Sequence, residues 1–372
     1  MTRSQRFVTL GLAVLGVTSF CPAAWAAEED VWRTHMLGAQ QAFRERNFLK
    51  AEVELQAAIK VAEAAQPQDD RLIESLGSLV MAYVAQGKYE PALEPAKRIV
   101  EVQEKKLGPT HLGVAAALND LGGLYKDQKK FDEAEPLFKR AGSILEGKTA
   151  PRELLLKGMV QYNLCEMYRD QKKLDEAEKA GKEALAIREA VFGPGKPAVG
   201  DTLRTLASVY TAAGKFADAE AAYRGALAIR SKTQGWNRPV MVESLIDVAE
   251  ACAAQDKNEE AERSFRDALR LGQEGLGKSD GLRADACEKY AKLLRKLKRD
   301  DEAVKAEEAA KAIREAIEKA RQQPAADTPA PAPAVKAKAA AKPAATKPPA
   351  TKPPAEKAAP VKPAAEKPAA EK

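Results

Sequence analysis

The residues whose types and spacing come nearest to a chemical motif lie in two glycine-lysine stretches. Gly142-Ser-Ile-Leu-Glu-Gly147-Lys148-Thr149 and Gly272-Gln-Glu-Gly-Leu-Gly277-Lys278-Ser279 both fit GxxxxGK[ST], the pattern of a phosphate-cradling loop. Such a loop works only after a strand and before a helix, where backbone N–H groups and a helix amino terminus converge on the phosphates. Both matches here begin where a helical pattern ends and run into a loop, so their glycines and lysines read as helix-capping residues. His35 and His111 are the only histidines, neither belongs to HExxH, and no Cys/His cluster has zinc-ligand spacing. GxSxG is absent. Cys165, Cys252 and Cys287 lack metal-type or redox-type spacing and read as buried free thiols, with a Cys252–Cys287 bridge as the alternative. The chain therefore offers no catalytic, cofactor-binding or metal-ligating residue and no small-molecule substrate site.

The elements that would hold any site are helices. From Leu118 to Glu146, Leu118, Leu121, Gly122 and Tyr125 fall at i, i+3, i+4 and i+7, and Ala134, Phe138 and Ala141 at i, i+4 and i+7. Two amphipathic helices joined by the polar turn Asp127–Lys130 form a helical hairpin. Ala134 recurs as Ala51, Ala92, Ala177, Ala219, Ala261 and Ala303, in steps of 41 to 43 residues. The column of Ala141 reads Ala58, Ile99, Ala184, Ala226, Ala268 and Ala310; that of Tyr125 reads Ala42, Tyr83, Tyr168, Tyr210, Cys252 and Leu294. Small residues at fixed places let helices approach closely, and the larger ones fill the gaps. Cys165, Cys252 and Cys287 fall in such packing columns. Glu135, Glu178, Glu220 and Glu262 each follow the repeat alanine and read as a solvated or inter-helix salt-bridging face. The two glycine-lysine matches occupy equivalent loops of the third and sixth hairpins, which marks them as a by-product of the repeat.

This pattern resembles the tetratricopeptide repeat, and the step of about 42 residues with LGPTHLGVAAALNDLGGLY at Leu107–Tyr125 is similar to the variant of kinesin light chains. The resemblance covers about Val31 to Arg321. It implies an all-α solenoid of about seven hairpins in a right-handed superhelix, with repeats near 32–65, 73–106, 115–148, 158–191, 200–233, 242–275 and 284–320. It also gives His111 a loop-shaping role. A stripe offset from the packing face (Ala116, Asn119, Gly123 and Lys126; then Met159, Tyr162, Glu166 and Arg169; then Asp201, Arg204, Ser208 and Thr211) would line the concave wall and meet extended peptides of other proteins. Asn119 and Asn163 resemble asparagines that grip a ligand's backbone, offering donor and acceptor together. The candidate groove residues are Asn119, Lys126, Tyr162, Asn163, Arg169, Arg204 and Asp247. Along the wall, Met36, Phe43, Met81 and Val84 make an apolar start, Lys126, Arg169 and Arg204 a basic middle, and Glu243, Glu250, Asp285 and Glu288 an acidic end, which suits a ligand with an acidic middle.

Two ends flank this body. Arg3 and Arg6, the apolar run Phe7–Phe20 and Ala24-Trp25-Ala26 read as a signal peptide over residues 1–26, cleaved before Ala27, which directs the chain to the periplasm, envelope or medium. The tail from Gln322 to Lys372 carries nine lysines, four acidic residues and twelve of the 22 prolines, a net of +5; with +2 in the leader, the body stands near −1. The basic pI therefore belongs to the tail, and nothing in the body suggests a nucleic-acid surface. Such a tail cannot bury enough apolar surface to order itself. It serves either as an inert solubilising linker or as a weak contact with an anionic envelope polymer or lipid. Two functions follow: an exported protein-binding scaffold or adaptor, or an envelope structural protein tethered by its tail.

Overall fold

The computed structural model describes residues 22–65, 70–232, 238–273 and 281–322. The leader through Cys21, the tail from Gln323 and most of the second glycine-lysine match lie outside the described residues. Those described form fourteen α-helices: α1 (Pro22–Arg44), α2 (Phe48–Ala65), α3 (Asp70–Ala85), α4 (Tyr89–Leu107), α5 (Leu112–Asp127), α6 (Phe131–Ile144), α7 (Pro151–Asp170), α8 (Leu174–Phe192), α9 (Pro197–Ala212), α10 (Phe216–Lys232), α11 (Arg238–Ala253), α12 (Asn258–Gln273), α13 (Gly281–Lys296) and α14 (Asp300–Gln322). They pair as seven antiparallel hairpins stacked in chain order, an all-α solenoid. None of these helices is long and apolar enough to cross a membrane.

All seven repeat alanines are fully buried. Tyr83 and Ile99 pack both against the core of the first hairpins and against the core that runs on to α9, which joins the two. A second regularity lies sixteen residues across each hairpin. Ala39 faces the position of Leu55, Gly122 that of Phe138, Ala207 that of Tyr223 and Ala249 that of Phe265; where the first member is larger, as in Val80 and Cys165, the second is Ala96 and Gly181. The volumes trade against one another. A Cβ on Gly122 would lie 2.8 Å from the Phe138 ring, and one on Gly181 would lie 2.9 Å from Cys165 Sγ. At the last described hairpin the pair is Ala291 and Glu307, and the carboxylate is bound by Arg295 at 2.8 Å.

Each hairpin turn contains one residue in the left-handed region: Arg46, Gly87, Lys129, Lys172, Gly214, Asp256 and Lys298. A side chain there costs about 1 kcal/mol. The residue that follows is basic at six of the seven turns and opens the second helix, where a cation opposes the helix dipole. Its compensation is an ion pair to the preceding hairpin: Lys88 to Glu52 at 3.7 Å, Lys130 to Glu90 at 2.7 Å, Lys173 to Glu135 at 3.4 Å, Lys215 to Glu178 at 2.6 Å, Lys257 to Glu220 at 2.6 Å and Arg299 to Glu262 at 3.0 Å. The carboxylates after the repeat alanines are thus inter-hairpin rungs. Tyr83, Tyr168 and Tyr290 donate to three of them.

Glu220 is a heavily loaded rung. Lys257 Nζ at 2.6 Å, Arg224 Nε at 2.7 Å and Gln255 Nε2 at 2.9 Å converge on it, and Lys257 above all holds its carboxyl down at about 2. A depressed folded-state pKa stabilises the fold fully above the ordinary value of 4.5 and loses that stabilisation as pH falls toward 2. Glu220→Gln is expected to cost about 2 kcal/mol at neutral pH and to flatten the loss of stability between those two values. Urea titrations at stepped pH check this; a variant with the native pH profile would contradict it.

Candidate peptide-binding groove

The first helices of successive hairpins form one wall. α5 packs directly on α7, α7 on α9 and α11 on α13. The approach of α3 to α5 is looser, and a cavity of about 740 Å³ opens in that gap. Its sides come from α3 (Glu74, Met81, Val84), α5 (Asp120, Gly123, Asp127) and α7 (Met159). Met81 is 60% exposed, Val84 36% and Met159 39%, so three large apolar side chains meet water on one surface. Gly77 and Gly123 leave it open: a Cβ at either would meet no atom within 4 Å.

Asn119 and Asn163 both line this cavity. Asn163 Nδ2 donates to Asn119 Oδ1 at 2.9 Å, and Asn119 Nδ2 donates to Asp120 Oδ1 at 3.2 Å. Asn119 is only 3% exposed, so it fixes Asn163 from below. The Asn163 side-chain oxygen takes no hydrogen bond from any described residue.

The other candidates lie further along the same wall. Tyr162, Arg169, Arg204 and Asp247 line a polar hollow of about 280 Å³ between α7, α9 and α11. Lys126 and Arg169 share a shallower one of about 440 Å³ at the carboxyl ends of α5 and α7. The Tyr162 hydroxyl donates to Glu166 at 3.0 Å and accepts from Thr205 at 3.2 Å; burial, foremost, pushes its pKa up. The Arg188 guanidinium lies 4.3 Å from the centre of its ring.

The cations of this wall are already partnered, which corrects the expectation of a basic middle. Lys126 Nζ is 2.6 Å from Glu166, Arg169 donates to Asp170 at 2.8 Å and to Ser208 at 3.2 Å, and Arg204 donates to Asp247 at 3.0 Å and to Glu243. Burial outweighs Arg204 at Asp247 and raises that carboxyl's pKa. The acidic end is partnered too, Glu250 by Lys289 at 2.7 Å and Asp285 and Glu288 by Arg314 at 2.8 Å each. Apart from the neighbours Arg169 and Asp170, these partners sit 26 to 43 residues apart in sequence, so the stripe of a single helix shows most of the charges without their counter-ions. Of the four apolar residues expected at the start of the wall, Met36 is buried and Phe43 stacks edge-on against Phe48; Met81 and Val84 remain open.

Other chemistry-bearing residues resolve as packing. The first glycine-lysine match spans the end of α6 and the loop before α7, and Lys148 Nζ reaches the Thr110 carbonyl at 3.4 Å. His111 is the N-cap of α5, its Nδ1 accepting from the Gly113 N–H at 3.0 Å. Cys165, Cys252 and Cys287 are buried free thiols. Burial pushes the Cys165 thiol up to about 12. Among the described residues Glu220, Cys252 and Glu260 bring three ligand atoms within 4.8 Å of one another. Arg224 already fills that space, donating to Glu220 at 2.7 Å, Glu260 at 2.7 Å and Cys252 Sγ at 3.5 Å, so a metal ion would have to displace a cation.

The hairpins, their repeat alanines and the wall of first helices form a tetratricopeptide-repeat solenoid, a scaffold fold that generally binds other proteins and is typically non-catalytic. Two tetratricopeptide-repeat family profiles match, one over residues 96–146 and 157–232 and the other over 72–112. Nephrocystin-3 of Xenopus laevis is 36% identical over 75 residues, 18% of this chain and 6% of its own length. The chain thus spans about 6% of the curated relatives it matches. Among solved structures, the apo form of RapI superposes with a TM-score of 0.57 at 14% identity, covering 77% of this chain and 99% of RapI. BtubC (BKLC) from P. vanneervenii gives 0.50 at 18% identity, covering 67% and 93%. Both likenesses concern the fold.

Proposed function

We propose that this protein is an exported scaffold or adaptor that captures an extended segment of another protein along the wall of first helices, its repeats being of the kinesin-light-chain type. The apolar cavity between α3, α5 and α7 carries this reading: exposed methionines and valine, an unused amide acceptor and two glycines make a surface that pays a hydration cost until something covers it. The leader supports export to the periplasm or envelope. Cleavage before Ala27 shortens α1 but keeps Trp32, whose indole donates to Ser75 of α3 at 2.9 Å. The lysine-rich tail supports a second role, holding the scaffold to an anionic polymer or lipid surface.

A photo-crosslinking side chain placed at Met81 in the full chain, with Val53 as an equally exposed control on α2, tests the reading. Proteins joined from position 81 and absent from position 53 are expected in the exported fraction. The same set from both positions would overturn it.

A further inference from the structure

The cavity between α3, α5 and α7 differs from the rest of the wall in its charge. Elsewhere, the wall carboxylates Glu166, Glu243, Asp247, Glu250, Asp285 and Glu288 each have a protein cation. In this cavity Glu74, Asp120 and Asp127 stand among apolar side chains, and no lysine or arginine lines it. Among the described residues no cation pairs with Glu74 or Asp120. Asp127 has only Lys126, at 3.7 Å, and that ammonium is held more closely by Glu166 at 2.6 Å. Asp120 is exposed at the cavity's edge, and partial burial against the wall raises its pKa against the opposing hydrogen bond from Asn119.

An apolar groove with unmatched anions is completed by a chain that is both apolar and cationic. Lysine fits on both counts, since its aliphatic stem can lie on Met81 and Met159 while its ammonium reaches a carboxylate. Asp120 and Asp127 stand seven residues apart on α5, about 10 Å along the helix, which three residues of a polyproline-II chain at about 3.1 Å each nearly span while bringing the fourth side chain back to the face of the first. Resting on the peptide-groove reading above, we propose that the segment captured between α3, α5 and α7 is a cationic one, with lysine or arginine at about every third residue between short aliphatic side chains. This reverses the acidic ligand that the lysine and arginine stripe suggests.

The test uses the full chain and three labelled heptapeptides followed by fluorescence anisotropy: Lys-Ala-Leu-Lys-Ala-Leu-Lys and its counterparts with glutamine or glutamate in place of lysine. The lysine probe is expected to bind at least about tenfold more tightly than either counterpart, and Glu74→Gln with Asp120→Asn to remove that preference without lowering the melting temperature. If lysine and glutamine probes bind equally and both are lost in Gly123→Leu, the groove stands and the cationic assignment falls. If none of the three binds, both fall. A chain with the tail lysines from Lys336 to Lys372 changed to glutamine that binds the lysine probe about tenfold better than the native chain would identify that tail as the occupant, and so overturn the partner assignment.

Discussion

Phe138→Ala is expected to cost about 3 to 5 kcal/mol, a loss matched only by other large core truncations such as Phe265→Ala. The ring is fully buried and lies against Gly122, which has no side chain to move into the space the ring leaves. Gly122→Val alone is expected to cost about 1 to 3 kcal/mol, because its methyl groups would enter the ring of Phe138. The double variant reproduces the Val80–Ala96 pair found sixteen residues apart in the second hairpin, so its cost should fall at least about 1 kcal/mol short of the sum of the two singles. Chemical denaturation of the three variants reads the coupling, and strict additivity would show that the sixteen-residue exchange of volumes has no energetic content. Because each hairpin contacts its neighbours alone, a weakened third hairpin should also broaden the transition or split it in two.

Gly123→Leu is expected to abolish partner capture, at least about tenfold in affinity, while leaving the fold as stable as before or more so. Gly123 lies within α5, where glycine costs up to about 1 kcal/mol relative to alanine, so a side chain there should improve the helix. The leucine would project into the cavity beside Met81 and Met159, since a Cβ at this position meets no atom within 4 Å. A structural role and a recognition role thus move in opposite directions on one substitution. Retained capture in a chain of unchanged melting temperature would place recognition elsewhere on the molecule.

The repeat alanines show why the fold was legible in the sequence and the site only in part. An alanine recurring every 41 to 43 residues fixes which face of each second helix is buried, and all seven are buried. His111 could be placed in an inter-repeat loop, and it is the cap of α5. The start of α7 at Pro151 precedes the apolar stripe, because proline suits the first helical position and the Glu153 carboxylate accepts from the Ala150 N–H at 2.9 Å. Asn119, Gly123 and Met159 fall in the stripes of helical spacing, Asn163 follows from the resemblance to the repeat family, and all four line one cavity. What spacing on one helix does not carry is the state of each charge. Arg204 and Asp247 belong to different hairpins, as do Lys126 and Glu166, and only the stacking distance decides that they neutralise one another. The volume exchange between Gly122 and Phe138 was hidden for a related reason, since each column alone looks irregular and the regularity lies in the pair.

The six methionines allow the central claim, recognition at the gap between α3 and α5, to be measured without altering the protein. With the methionine methyl groups labelled with carbon-13, addition of the lysine heptapeptide should shift or broaden the signals of Met81 and Met159 and leave those of the buried Met36 and Met167 in place. Unmoved Met81 and Met159 signals, at a peptide concentration where anisotropy shows binding, would contradict the account.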